Sequence, residues 1–257
     1  MGRFLSAITI GLCLSGAVTA ASLPFPLNER LDYHISWNGI LVAWSVATTG
    51  TVETNGTNYV SVKVETHTYP FFDMFYKVND LHECLLDPET LLPVRFEKNM
   101  QEGWAHYHEV TTFDYAHNTA RFENLETGSI TNIPVSLDTR DYVSFMYFMR
   151  GQKLEPEMTT TWPVLADNRV YQVQVHAENI EEIGLSNYPD VPSLRIEPEA
   201  EFNGLFVRNG KATLWVSRDA RRILTYMKAW VPFGRVTVKL QDVSGGTNDF
   251  WTTEKKD

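Results

Sequence analysis

The run RLDYHISWNGILVAWSV, residues 30–46, decides the fold class. Leu31, Tyr33, Ile35 and Trp37 alternate with Asp32, His34 and Ser36, the period of two that a half-buried strand requires. Asn38-Gly39 follows, a pair that tolerates positive φ at both positions and is the strongest short hairpin signal. Val42, Trp44 and Val46 then alternate on the returning strand.

The same rhythm extends outward. Asn55-Gly56 turns into Val60, Val62 and Val64, and Asp87-Pro88-Glu89-Thr90 turns into Leu92 to Lys98. Trp104 to Tyr115 alternates again, and His117-Asn118 turns into Arg121 to Asn124. Val170 to His176, Leu194 to Phe202, Lys211 to Ser217 and Ile223 to Leu240 read as further strands, with a hairpin turn at Asn209-Gly210. One segment breaks the pattern. Residues 141–150, DYVSFMYFMR, are nearly apolar all round; Asp138 or Thr139 caps the start and Gly151 sits where a helix ends. A helix without a polar face belongs inside something. The expectation is a mainly-β chain: a single large antiparallel sheet wrapped into an open or spiral barrel-like shape, with one short buried apolar helix over about 138–150. No Gly/Ser-rich linker divides it, so one domain is expected over 30–243, after a Pro-marked leader at 21–29 and before a polar tail at 244–257.

The N-terminus carries an address. Arg3 precedes an uncharged stretch from Phe4 to Val18, and Val18 and Ala20 suit the −3 and −1 positions of a cleavage site. This reads as a secretory signal peptide at 1–20, because the apolar stretch is short of the roughly 20 residues a membrane span needs. Cys13 leaves with it, and the bulky Leu12 before it argues against a lipoprotein. Cys84 then has no cysteine partner and reads as a small buried hydrophobe. No later stretch reaches transmembrane length. The chain has 257 residues, a net charge of −10 and 43% hydrophobic residues, so the core can be large and binding through neutralisation of nucleic-acid phosphates is disfavoured.

Chemical motifs are sparse. Gly204 and Gly210-Lys211 suggest a phosphate loop, but five residues separate the glycines and a strand follows, so a hairpin is the better reading. Nucleophile-elbow, Cys-x-x-Cys and dinucleotide-binding patterns are not found, and His108-Glu109 lacks the second histidine of a zinc protease. His106 and His108 share a strand face and are the metal candidates, with His67 and His82-Glu83-Cys84 on neighbouring strands; the bland alternative is a polar outer face. Arg195, Glu197, Glu199 and Glu201 alternate with apolar residues, which fits a solvated edge strand carrying Pro198 better than a calcium site. Residues 69–76, YPFFDMFY, are the densest aromatic run. Core packing is the first reading; at a mouth, Phe71, Phe72, Phe75 and Tyr76 would grip an acyl chain or dock on a membrane. Arg95, Glu97 and Arg150 are expected to point into the wrapped sheet, either as a structural pair or as anchors for a ligand.

The stretches YKVND (76–80) and DPETLLPVRFEK (87–98), with LDYHISWNG (31–39), LWVSRDARR (214–222) and VPFGRVTVKL (231–240), resemble a bacterial envelope family known only as domain of unknown function 3108. Ile223-Leu224 departs from the Leu-Pro or Ile-Pro expected there. The resemblance implies an exported, β-rich protein of a Gram-negative-type envelope and supplies no catalytic residue. Its recurring positions read as turn and packing chemistry: a turn at Asp87-Pro88, positive φ at Gly39, and a core filled by Trp37 and Trp215.

The leading expectation is therefore a non-catalytic periplasmic protein without a cofactor, binding an apolar or amphipathic envelope component such as a lipid-like ligand or a lipoprotein segment. It predicts a lined cavity. An envelope scaffold using a strand edge or apolar patch predicts a filled interior instead. A hydrolase of envelope glycan or lipid needs convergent polar residues of perturbed pKa.

Overall fold

The structure is a computed structural model and describes residues 23–199, 212–231 and 234–245. The signal peptide, the Asn209-Gly210 turn, Glu201, Gly204 and most of the polar tail lie outside the described residues.

The elements in chain order are β1 (Arg30–Trp37), β2 (Ile40–Thr54), β3 (Thr57–Thr68), α1 (Pro70–Asp73), β4 (Val78–Leu86), β5 (Pro93–Glu102), β6 (Ala105–Asp114), β7 (Thr119–Asn124) and β8 (Ile130–Pro134). There follow β9 (Arg140–Asp141), α2 (Tyr142–Met149), β10 (Thr159–Ala166), β11 (Arg169–Ile183), β12 (Val191–Glu199), β13 (Ala212–Ser217), β14 (Leu224–Val231) and β15 (Gly234–Ser244). All strands join one 15-stranded sheet, in the order β8-β7-β6-β5-β4-β3-β2-β1-β15-β14-β13-β12-β11-β10-β9. Among the described residues, only β9 and β10 pair in parallel.

This order forces curvature. Strand β1 pairs with both β2 and β15, so the sheet grows outward in two arms that end at β8 and β9. Laid flat, fifteen strands would place those edges roughly 65 Å apart. Yet only residues 135–139 connect β8 to β9, a link that spans about 20 Å at most. The sheet must curl until its edges approach, while its hydrogen-bonded ladder stays open.

Helix α2 fills the space between the arms. Val143 and Tyr147 pack with Val62, Cys84, Phe96 and Phe122 of the β3–β7 arm. Tyr142, Phe145 and Met149 pack against the cluster of Leu154, Val164, Val173 and Leu194 from the other arm. Burial on two sides explains why the segment lacks a polar face. It is shorter than expected because Arg140 and Asp141 are held as β9. The cap is Asp141, not Asp138 or Thr139: its Oδ1 accepts the N–H groups of Val143 and Ser144, both at 2.9 Å. Thr139 instead hydrogen-bonds back to Ser136.

The leader packs onto the domain. Phe25 is buried against the Tyr147 ring, and Asn28 donates its N–H to the Thr49 carbonyl. Behind it, the carboxylate of Glu29 accepts from Arg150 Nη1 at 2.5 Å and Nη2 at 3.0 Å, and from Arg221 Nε at 3.2 Å and Nη2 at 2.6 Å. All three residues are buried. Arg150 is thus part of a structural clasp, and its partner is Glu29 rather than Arg95 or Glu97.

Two other expectations are corrected. Strand β12 is not an edge, since it lies between β11 and β13. Pro198 is tolerated because, among the described residues, pairing with β13 covers only Ser193–Ile196. Trp215 is buried as expected, but Trp37 is 44% exposed, because its strand ends there.

Candidate functional site

The exposed large apolar side chains of the described residues are not scattered. Of the fifteen, twelve lie at one end of the sheet, on or beside the turns that join β1–β2, β3–β4, β5–β6, β7–β8 and β14–β15. The register places these turns along one rim: Ala43 is opposite Thr68, His67 opposite Asn79, Val78 opposite Glu102, and Trp37 opposite Val236. The remaining described turn at this end, Asp167-Asn168, is polar, so the apolar stretch runs from β8 to β14.

Local chemistry builds each prong. Asn38 and Gly39 adopt φ of 49° and 86°, which sets Trp37 and Ile40 directly opposite each other at a strand tip. The run at 69–76 does not continue β3. Pro70 opens the single helical turn α1, alternation is lost, and the loop stands at the sheet end with none of its α1 residues buried. Phe71, Met74, Phe75 and Tyr76 are consequently exposed, which overturns the expectation of core packing. Phe72 is half-buried and meets the Phe71 ring edge-on at 5.2 Å. Thr68 closes the loop at its base: its hydroxyl donates to Asp73 and accepts the Val78 N–H at 3.0 Å.

The neighbouring prong is the Gly103-Trp104 turn, where Trp104 is 100% exposed. Gly103 N–H donates to the Lys77 carbonyl at 2.7 Å, and the Tyr76 ring lies over Gly103 so closely that an added Cβ would fall 2.9 Å from it. Glycine is required twice here, for that approach and for φ of 60°. The two prongs form one unit. Tyr107, Leu125, Ile130 and Trp230 continue the rim on either side.

Below the prongs, the inner face of β4 and β5 carries polar groups. His82 faces the Tyr142 and Phe96 rings, at 5.7 and 6.3 Å, and Asp80 lies on the same face two residues nearer the rim. Burial, then the Lys98 charge, pushes His82 down to about 4, so the imidazole is neutral at physiological pH. Asp80 is buried and accepts the Gln101 N–H at 3.1 Å. Burial and the Glu102 carboxylate raise it to about 7, and burial also raises Glu102. Lys98 pairs with Glu109 on the same face. A carboxyl that titrates near neutrality can donate or accept a proton, and no sequence pattern announces it, since nothing local marks which side of β4 is covered.

The other expected site residues are dispersed. Arg95 and Glu97 alternate with buried Phe96, so they lie on the opposite face, where Glu97 binds Arg95 at 2.6 Å and His108 Nε2 at 2.7 Å. They point away from the interior. His106 and His108 share that outer face, while His82 and Cys84 face inward. Among the described residues, no group of three or more His, Cys, Asp or Glu stands close enough to hold a metal. Cys84 is fully buried, with its thiol raised well above its usual value by burial and the nearby Asp141, to which it donates at 3.1 Å. An open cleft of about 490 Å³, lined by His34, Ser36, Tyr226, Lys239 and Glu182, lies beside the β11–β12 hairpin. No described helix is long and apolar enough to cross a membrane.

The family model described as a protein of unknown function (DUF3108) matches residues 32–241. Among curated proteins, no match was found. Among solved structures, the chain is similar to a beta-barrel-like protein of domain of unknown function DUF1849 from Brucella abortus, with a TM-score of 0.56 and 10% identity over 87% of this chain and 99% of that one. At that identity the likeness concerns the fold alone, a barrel-like sheet that is not closed.

Proposed function

We propose, from the premise that this chain belongs to the DUF3108 family, that it is an exported, non-catalytic envelope protein that binds an apolar or amphipathic component at its rim. The observation that carries this reading is the gathering of twelve exposed large apolar residues at one end of the sheet. Helix α2 occupies the space between the arms, so the binding surface is not the lined cavity expected of a ligand carrier; it is the apolar patch expected of a scaffold, and binding is assigned to the rim accordingly. The aromatic run thus serves as a contact surface, and Arg95, Glu97 and Arg150 have no part in it. Export and a periplasmic location are part of this proposal, and what supports them is the N-terminal address at residues 1–20.

The test is native mass spectrometry of the protein drawn gently from its own envelope fraction, followed by lipid extraction. The expected result is a co-purifying lipid or lipoprotein that is lost when Phe75 and Trp104 are replaced by serine. A companion that survives those replacements would sink the reading.

A further inference from the structure

We infer that the rim seats edge-on against the surface of a neutral phospholipid bilayer, with Trp104 and the 69–77 prong inserted at the headgroup boundary. This rests on the rim-binding reading and names its partner.

Three features favour a bilayer over a protein surface. First, the apolar residues sit on the tips of separate turns spread over ten adjacent strands, an arc of roughly 43 Å. Separate tips enter a deformable phase readily, whereas a folded partner would have to match each one. Second, five of the twelve are Trp or Tyr, namely Trp37, Trp104, Trp230, Tyr76 and Tyr107. Their apolar bodies and polar tips suit the interface between acyl chains and headgroups. Third, net charge is low there. Within three residues of the strand ends, the described rim carries Glu65, Asp73, Asp80, Glu102, Glu123 and Glu126 against Lys77, Arg121, Lys228 and Arg235, a small share of the −10 of the whole chain. A weakly acidic rim on an acidic molecule fits a zwitterionic surface, because anionic lipid would repel both.

The opposite rim is a control within the same molecule. Its turns use the same chemistry, Asn55-Gly56 between Thr54 and Thr57, and Asp87 accepting from Glu89 and Thr90. Among the described residues it carries only three exposed large apolar residues, Leu137, Met158 and Ile180. Hairpin formation therefore does not require the apolar tips.

The experiment uses the mature chain and large unilamellar vesicles of phosphatidylcholine, with sedimentation and tryptophan emission as readouts. The wild type is expected to partition with a blue shift that changes less than twofold between 50 and 500 mM salt. Phe75→Ser/Trp104→Ser should lower the partition coefficient at least tenfold per residue, about 1.4 kcal/mol each. Leu137→Ser/Met158→Ser should leave it unchanged. Equal binding by the rim variant, shown to be folded by an unchanged melting temperature, overturns the proposal. So does a wild type that ignores vesicles, whatever else it binds. In that case, rim-dependent capture of a diacylated lipopeptide would leave the rim-binding reading standing, and rim-dependent dimerisation would make the rim an interface between copies. Failure to bind vesicles, lipopeptide or a second copy would remove both readings.

Discussion

Replacing Glu29 by glutamine should destabilise the fold more than almost any other single polar change. Its carboxylate takes four N–H bonds from two guanidiniums, all within 3.2 Å, and its own N–H donates to Thr49 Oγ1. The partners are 121 and 192 residues away, so this one group ties the start of β1 to the end of α2 and to the β13–β14 turn. Glutamine keeps the shape but removes the charge, leaving two buried cations with no compensating anion. Removing one partner of a buried ion pair costs about 3–5 kcal/mol. For a domain of this size each kcal/mol moves the melting temperature by about 2–4 °C, so the expected drop is roughly 6–20 °C. Urea unfolding should show a lower midpoint at an unchanged m-value. The triple change Glu29→Gln/Arg150→Met/Arg221→Met should recover much of the loss, because it removes the unpaired charges themselves. A loss below about 1 kcal/mol for Glu29→Gln, or a triple variant no more stable than the single one, would refute the account of the clasp.

Asp80 predicts a pH dependence. Its folded pKa of about 7 lies above its ordinary value of 3.8, so between these limits the folded state holds more protons than the unfolded state. Stability should therefore fall as pH rises from about 4 to 7 and flatten above, and Asp80→Asn should flatten that window and raise stability at pH 8 by on the order of 2 kcal/mol; an unchanged profile in denaturant titrations at several pH values would contradict this. Gly103→Ala meets both the Tyr76 ring and a positive φ, and should cost more than about 1 kcal/mol while altering the near-ultraviolet circular dichroism of the rim aromatics. Cys84, fully buried, should label with a thiol reagent only at the rate of global unfolding, and rapid labelling of native protein would show that the inner face opens locally. Trp104→Ser should leave the unfolding free energy, read from urea denaturation, within about 0.5 kcal/mol of wild type, since the ring contacts solvent alone.

Alternation is a local property, and wherever a strand has one buried face the sequence displays it. Strands β1, β2, β3 and β6 are legible for this reason, β5 and β7 from the turns before them, and α2 because its lack of a polar face implies burial; β4 is marked only by His82-Glu83-Cys84, since its buried positions are interrupted. The missed strands explain themselves. In β8 only Ile133 of five residues is buried, and β10 carries Pro163 beside the unbroken apolar pair Val164-Leu165. Pro163 is permitted because β9 pairs only with residues 164 and 165 of β10, leaving the earlier part of that edge without a partner. Residues 223–240 read as one strand but fold as two, β14 and β15. The aromatic run misled because composition signals burial while the turn after Pro70 decides it. The Glu29 clasp joins positions far apart in sequence, which no local pattern announces. Trp37 is expected in the core; its place beside a hairpin turn, opposite Ile40, is the signal that points to the rim instead, since residues at a strand tip have the least sheet to cover them.

The division between interior and rim follows from how the sheet closes. A short link between its edges forces the curl, and a curled sheet of this width needs something inside it. Helix α2 supplies that filling, but it brings Asp141 into the interior, where burial raises its pKa and its capping hydrogen bonds oppose the rise. Cys84, Ser144 and the two helix N–H groups satisfy that carboxyl, and Glu29 satisfies Arg150 at the other end of the helix. The polar groups of Asp141, Ser144, Arg150 and Glu29 are committed to holding the helix, so changes to them register as stability. The rim carries no such commitment. A fully exposed tryptophan adds almost nothing to folding, and the polar turns of the opposite rim form the same hairpins without one. Substitutions can therefore be sorted by a single pair of measurements. Those around α2 should move the melting temperature and leave vesicle binding intact in the folded fraction, and those at the prong tips should do the reverse. A tip substitution that lowered both would mean that the rim aromatics are part of the core after all.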